Sequence, residues 1–171
     1  MKTNITKIAL FALIAGMISF LENFFTPLIP IPGMKLGFSN IVLLVGLIYF
    51  SKKEVFFIVL MKSILQALMG GSFTSIMYSL PSGIFALIGM ILAMKLMPRV
   101  SYIGVSVVGA FFFNFSQVIV SYLVLNSFIY FHYLPWIEIV GTFTGALNGF
   151  IVNELVKKNT LGVILNDKKQ Y

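Results

Sequence analysis

Three charged residues stand in apolar sequence, where a charge needs a partner, a cavity or a ligand. Glu22 and Lys35 belong to the stretch ENFFTPLIPIPGMKLGFSN, and Lys62 lies inside VFFIVLMKSILQALM. A charge at the centre of a bilayer costs ~2.5–3.5 kcal/mol on insertion scales, so such residues usually face a cavity or a partner. The two lysines predict contact with a negatively charged ligand. The structural alternatives are a Glu22–Lys62 or Glu22–Lys35 ion pair, or a Lys62 side chain that reaches the lipid headgroups.

Uncharged polar residues recur at helical spacing near these charges. Gln66 lies one turn after Lys62, on the same helix face. Asn114, Gln117 and Ser121 form one stripe, and a later segment carries Thr144 and Asn148 four residues apart. Such stripes indicate either hydrogen bonds between helices or a polar binding cavity, and both alternatives stay open. The candidate substrate-binding residues are Glu22, Lys35, Asn40, Lys62, Gln66, Asn114 and Gln117.

The segment PIPGMKLG predicts a stiff loop that carries Lys35. Pro30 and Pro32 favour an extended path, and Pro32 followed by Gly33 suits a tight turn. Gly37 allows the chain to approach another group closely. Irregular backbone at membrane depth is tolerated where it is buried in protein or lines a cavity, so the segment is typical of a binding loop.

Catalytic and metal-binding patterns are absent from the sequence. His132 is the single histidine, there are no cysteines, and no Walker A loop, G-x-S-x-G elbow or D-D-x-x-D prenyl-diphosphate motif occurs. We therefore expect no enzymatic activity of this chain alone, no metal and no cofactor. The net charge of +7 does not indicate nucleic acid, because the basic residues lie between apolar segments rather than on one solvated face.

The elements that must hold these residues are membrane helices. The chain has 171 residues, of which 59% are hydrophobic and 10% charged, and its mean hydropathy is +1.01. Soluble domains have about 25% charged residues, so the composition predicts one integral membrane domain over residues 1–171. The fold class that we expect is all-α, a polytopic bundle of six transmembrane helices near residues 6–25, 37–50, 55–70, 74–97, 103–127 and 134–156.

Three of these segments leave alternatives open. The second and third are short, so they are either tilted or buried helices or a single re-entrant hairpin. In the fourth segment, Pro81 and Gly83 predict a kink or a break.

Charge placement predicts the orientation of the bundle. With six helices, ten of the twelve basic residues fall on one side, and Lys35 and Lys62 are the remaining two. Because basic residues favour the cytoplasmic side, we expect both termini in the cytoplasm of a bacterial-type inner membrane. The stretch from residue 22 to residue 40 then faces outside, together with the aromatic run YFHYLPW, which is typical of an interfacial belt.

Small residues at helical spacing predict close helix packing. Ala12 and Gly16 are four residues apart in the first helix, and Gly141, Gly145 and Gly149 repeat this spacing in the last. The glycines favour packing inside the bundle. The face of Ala12 and Gly16 has two interpretations, internal packing or docking of a partner protein.

The motifs PIPGMKLGFSNIV, SLPSG, IGVSVVGAFFFNFSQ and HYLPW resemble the heptaprenyl diphosphate synthase component I family, also called the Gx transporter family. The resemblance extends from the first to the last helix, and its most specific part is Pro32, Gly33, Lys35, Leu36, Gly37 and Asn40. Two positions depart from the family pattern: Phe113 stands where a histidine is usual, and Lys62 where an arginine is usual.

The resemblance implies a likeness to the S components of energy-coupling-factor transporters. These are six-helix membrane proteins whose outer loops close over a small molecule and whose first helix docks a membrane coupling subunit. On this basis we expect a substrate-binding subunit that takes an anionic or amphipathic molecule from outside, while ATPases supply the energy. The alternative is an accessory subunit of prenyl diphosphate or quinone biosynthesis, and a weaker third one is a subunit of a flavin-handling or electron-transfer complex.

Overall fold

The computed structural model describes residues 5–24, 35–70, 73–96 and 99–158, with the backbone alone for Phe73. Within these ranges the chain is all-α, as predicted, and contains no strand. A 3₁₀ turn, Glu22–Phe24, continues the first helix. The helices are α1 (Ile5–Leu21), α2 (Asn40–Tyr49), α3 (Lys52–Gly70), α4 (Phe73–Leu96), α5 (Tyr102–Leu125), α6 (Ile129–His132) and α7 (Leu134–Lys157).

Four stretches in the described part of the chain are long and apolar enough to cross a membrane. They are Ile5–Phe24, Thr74–Leu96, Tyr102–Leu125 and Leu134–Lys157. Helix α2 has 10 residues and is about 15 Å long, half the thickness of the hydrocarbon core. Helix α3 has 19 residues but includes four charged ones. The architecture is thus compatible with a membrane protein, while six crossings and cytoplasmic termini stay predictions.

Two helices begin at different residues from those predicted, and local chemistry gives the reason. Helix α3 begins before its apolar run because Ser51 and Glu54 cap each other: Ser51 N donates to Glu54 Oε2 at 2.7 Å, and Glu54 N donates to Ser51 Oγ at 3.4 Å. Helix α2 begins at Asn40 rather than at residue 37 because Gly37 has a positive φ of +82°, which ends any helical path there.

Other expectations about single segments have different outcomes. Helix α4 runs through Pro81 without a break, so a break was a wrong prediction, and a kink there stays a prediction. Residues 40–49 and 52–70 form two helices, and whether they make a re-entrant hairpin stays a prediction; the short helix α6 was not predicted. The proline-rich segment with Pro30, Pro32 and Gly33 lies outside the described residues.

The long helices pack as an arc in the order α1, α3, α4, α5, α7, and α2 lies against the inside of this arc, in contact with all five. Helix α2 is apolar nearly all round, which is typical of a helix surrounded by others. Its Leu43 and Leu44 are fully buried, as are Ile58 of α3 and Met90 of α4. The core therefore surrounds α2, and the segment that leads into α2 enters the interior of the bundle.

The outer surface of the arc is strongly apolar. Leu68, Trp136 and Phe143 are each at least 70% exposed, and every long helix presents further large apolar side chains. A soluble monomer rarely exposes a continuous apolar surface of this kind. Lipid contact explains it.

Candidate ligand-binding site

A buried segment, Lys35–Ser39, passes between the helices and is bound by polar side chains from four of them. Thr144 Oγ1 donates to the carbonyl oxygen of Leu36 at 3.0 Å, and Asn148 Nδ2 donates to that of Gly37 at 3.0 Å. Backbone groups without secondary-structure partners must find others when buried. The side chains of α7 satisfy this need, and they fix the segment at the centre of the bundle.

Gln117 of α5 holds the main chain of Lys35 from both sides. Its Oε1 accepts from Lys35 N at 2.9 Å, and its Nε2 donates to Lys35 O at 3.3 Å. The side-chain amide thus satisfies both the N–H and the C=O of a residue 82 positions away, in the way that the backbone of a neighbouring β-strand would. This contact orients Lys35.

Gly37 is required at its position for two reasons. Its φ of +82° lies in the left-handed region that favours glycine. A Cβ atom there would also lie 3.0 Å from Asn40 Nδ2 and 3.3 Å from the ring of Phe113. The close approach predicted from the sequence is therefore an approach to Asn40 and Phe113.

Three charged side chains converge next to the segment. Lys62 is 0% exposed, Glu22 3% and Lys35 5%. Glu22 Oε1 accepts from Ser39 N at 2.9 Å, and its carboxylate interacts electrostatically with both lysines. We call Glu22, Lys35 and Lys62 the buried charge cluster. The structure thus brings together three of the residues selected from the sequence, and their role in binding stays a prediction.

Each lysine of the buried charge cluster has a polar contact inside the protein. Lys62 Nζ donates to Ser39 Oγ at 3.0 Å and lies 6.0 Å from the centroid of the Phe113 ring. Lys35 Nζ lies 3.5 Å from the carbonyl oxygen of Ser19. Because Lys62 is fully buried, the alternative that it reaches the headgroups is excluded in this conformation. At Lys35, burial lowers the pKa to about 8; the Glu22 carboxylate opposes this effect.

Two amides close to the cluster retain hydrogen-bonding capacity. Asn40 is 2% exposed, and neither its Nδ2 nor its Oδ1 has a partner among the described residues. Gln66 accepts from Ser19 Oγ at 2.7 Å, while its Nε2 is buried without a partner in the same part of the chain. Most buried polar atoms in proteins are hydrogen-bonded, so these exceptions need an explanation.

The predicted stripe on α5 divides between two neighbours. Gln117 turns to the Lys35–Ser39 segment, whereas Asn114 Nδ2 donates to Ile137 O of α7 at 3.1 Å and also bonds the Glu138 side chain. Asn114 thus forms a hydrogen bond between helices in this structure, which is the first of the two alternatives for the polar stripe; the other is a polar binding cavity. Ser121 is fully buried, and its Oγ lacks a partner among the residues described.

The small-residue patterns both lie inside the bundle. Ala12 and Gly16 are buried, and Gly16 packs against Leu65 of α3, where a Cβ would lie 3.1 Å from Leu65 Cβ. Internal packing is the alternative that this geometry favours, and docking of a partner at Ala12 and Gly16 stays a prediction. The α7 glycines pack on α5.

Three residues that contact the buried charge cluster were not predicted from the sequence as part of the site. Ser19 and Ser39 touch the cluster, but isolated serines in apolar sequence give little signal. Phe113 stood out as a departure from the family pattern, yet its contact with Lys62 depends on the fold.

The chemistry of the site favours an anion. Two ammonium groups and the amide of Asn40 are hydrogen-bond donors, and one carboxylate balances only part of the positive charge. Charge-assisted hydrogen bonds of this kind are short and strong away from water. In the described ranges, no group of three or more His, Cys, Asp or Glu side chains is arranged to hold a metal ion.

The comparisons with known proteins give one family. The family model described as heptaprenyl diphosphate synthase component I matches residues 11–155. Searches of the curated proteins and of the solved structures give no significant match. The matched range contains the Lys35–Ser39 segment and all residues of the buried charge cluster.

Proposed function

The chain belongs to the heptaprenyl diphosphate synthase component I family, and on this premise we propose that it is a membrane-embedded binding subunit for a small anionic molecule. In this role it serves an uptake transporter in the manner of an S component. The chain is not an enzyme. A membrane coupling subunit and ATPases on other chains supply the energy for uptake.

The buried charge cluster is the observation that carries this proposal. Two lysines and one glutamate lie together at 5% exposure or less, among helices that are compatible with a membrane. An unbalanced charge is costly in an apolar interior, and a bound anion removes the imbalance. The free amide groups of Asn40 offer this anion a further donor.

The position of the cluster supports capture from the outer face. It lies where Glu22 and the Lys35–Ser39 segment meet α2, α3 and α5, and charge placement predicts that this part of the chain faces outside. Gln117, Thr144 and Asn148 hold the Lys35–Ser39 segment in place. In this mechanism Lys35 and Lys62 bind the anion, and Asn40 orients it.

Native mass spectrometry of the purified protein tests the binding role. We expect a co-purifying small anion, and we expect Lys62→Met or Lys35→Ala to weaken its binding roughly 10- to 100-fold, which is the loss of one hydrogen bond to a charged group. Lys158→Ala is the control because Lys158 is exposed and lies outside the site. Unchanged binding by both cluster variants would refute the site.

Uptake separates transport from mere binding. We expect cells that contain this chain together with coupling subunits to accumulate the identified anion, and cells with the Lys62→Met variant to lose accumulation. Binding without any coupled uptake would contradict the transport role and leave the binding site intact.

A second function is favoured by the family description. A component of a heptaprenyl diphosphate synthase would assist a prenyl-transferring partner, and a prenyl diphosphate is itself an anionic amphiphile that suits two buried lysines. This accessory role predicts co-purification with a prenyl synthase and a loss of quinone when the chain is deleted. Transport predicts neither result.

A further inference from the structure

A groove of about 510 Å³ runs between α3 and α4, on the outside of the bundle and away from the buried charge cluster. Its walls are apolar and include Phe56 and Phe57 of α3, with Ile84 and Ile88 of α4. Lys52 and Lys53 lie at one end. The groove therefore has an apolar interior with a basic mouth.

The two helices run antiparallel along this groove. Gly83 of α4 lies beside Val59 and the side chain of Lys62 in α3, and the groove brings residues 84–91 of α4 beside residues 52–57 of α3, so the end of α4 lies near the start of α3. Ile84 and Ile91 both line the groove, and a helix rises by about 10 Å between these two positions. The groove is therefore long enough to hold part of one hydrocarbon chain.

The basic mouth is larger than the two lysines that line it. Lys95 is exposed in the last turn of α4, and the exposed Arg99 follows three residues after the end of this helix in the sequence. Glu54 is the carboxylate at the start of α3, and it accepts the capping hydrogen bonds of Ser51. Positive charge therefore dominates at the mouth.

We propose that this groove binds an anionic phospholipid, with the lipid phosphate at Lys52 and Lys53 and one acyl chain along Phe56, Phe57, Ile84 and Ile88. Basic residues beside a membrane helix attract anionic headgroups, each with about a fivefold gain in affinity near the surface. The apolar walls bind the acyl chain through non-polar contacts. This site is independent of both proposed functions.

The charge distribution favours a lipid over a protein partner. A second copy of this chain in the same orientation would bring its own Lys52 and Lys53 to the level of the mouth, and each copy carries a net charge of +7. A phospholipid carries a negatively charged phosphate, which suits the basic mouth, next to an acyl chain, which suits the apolar walls. The exposed groove walls are then covered by the membrane itself.

Native mass spectrometry of the full chain in detergent tests the site. The protein is titrated with phosphatidylglycerol or with phosphatidylcholine of the same acyl chains, and bound lipids are counted. We expect phosphatidylglycerol to bind more tightly, and the double variant Lys52→Ala/Lys53→Ala to lose roughly tenfold or more of this affinity. The matched control, Lys157→Ala/Lys158→Ala, removes two exposed lysines at the end of α7 and should bind like the parent protein.

A second variant tests the apolar part of the groove. Ile88→Trp fills the space for the acyl chain and should weaken the binding of both lipids. The control is Ile139→Trp, which makes the same change on the outer face of α7. Ile139 is 52% exposed, and its replacement should have no effect on lipid binding. Equal binding of the two lipids, or equal losses in the lysine double variant and its control, would overturn the proposal. A dimer that disappears with Ile88→Trp would assign the groove to a second copy of the chain and overturn it as well.

Discussion

At the scale of single residues, the protein combines two lysines and one glutamate in a buried interior. Lys62 is fully buried and donates to Ser39 Oγ at 3.0 Å, whereas Lys35 is held by its main chain and its Nζ has the longer contact of 3.5 Å with Ser19 O. The two lysines therefore differ in role. Lys62 positions the Lys35–Ser39 segment in addition to its proposed contact with the anion, whereas the proposed role of the Lys35 ammonium is that contact alone.

The proton of Lys35 makes anion binding depend on pH. Burial lowers the pKa of Lys35 to about 8, so its ammonium form, which attracts an anion, is lost as the pH rises through that value. We expect affinity for the co-purifying anion to fall between about pH 7 and pH 9. Lys35→Arg should weaken this dependence, because an arginine keeps its charge throughout while Lys62 stays a lysine; a fall of the same size in that variant would contradict the role of Lys35. Titration calorimetry at several pH values measures the effect.

At the scale of the elements, contacts between helices decide where the polar side chains point. The α7 glycines allow α5 to approach closely: a Cβ on Gly145 would lie 2.9 Å from Ala110 Cβ and 3.0 Å from Val107 Cα. This approach brings Thr144 and Asn148 of α7 to the carbonyl groups of Leu36 and Gly37. Helix packing and the geometry of the site thus depend on the same glycines.

Gly145→Ala should consequently destabilise the protein. The added methyl group meets the backbone of α5, which cannot move aside, and overpacking of this kind costs about 1–3 kcal/mol. Gly70→Ala is the control, because the nearest atom to a Cβ there is 3.4 Å away, an ordinary contact. The free energy of unfolding in mixed micelles with SDS measures both variants, and equal losses would argue against close packing of α5 and α7.

At the scale of the whole molecule, the arrangement places polar groups inside and apolar groups outside. The buried charge cluster lies against α2, and the large exposed side chains face away from it. This inverted distribution is typical of a protein that has lipid as its outer solvent. The orientation of the bundle then determines which side of the membrane a ligand reaches first.

Cysteine labelling tests this orientation directly, because the chain has no cysteine of its own. With both termini inside, Phe128→Cys in the connection between α5 and α6 should react with a membrane-impermeant maleimide in intact cells. Lys95→Cys and Lys158→Cys, both at exposed positions, should react after lysis alone. Labelling of Lys158→Cys in intact cells would reverse the predicted topology.

The sequence by itself determined the all-α class, the approximate position of each long helix and the residues whose charge required an explanation. These properties are local: hydropathy over a helix length needs no knowledge of the fold, and Lys62 is anomalous in any apolar segment. The start of α3 was misplaced because a hydropathy pattern does not include the capping pair of Ser51 and Glu54, although that pair is also local.

Only the tertiary structure decided what each polar residue contacts. Gln117, Asn114 and Asn148 are similar amides on apolar helices, yet Gln117 and Asn148 hold the Lys35–Ser39 segment and Asn114 bonds to α7. Asn148 and Gly37 are 111 residues apart. The physical reason is that a helix fixes the direction of a side chain but not the neighbour that it meets, which depends on how all the helices pack.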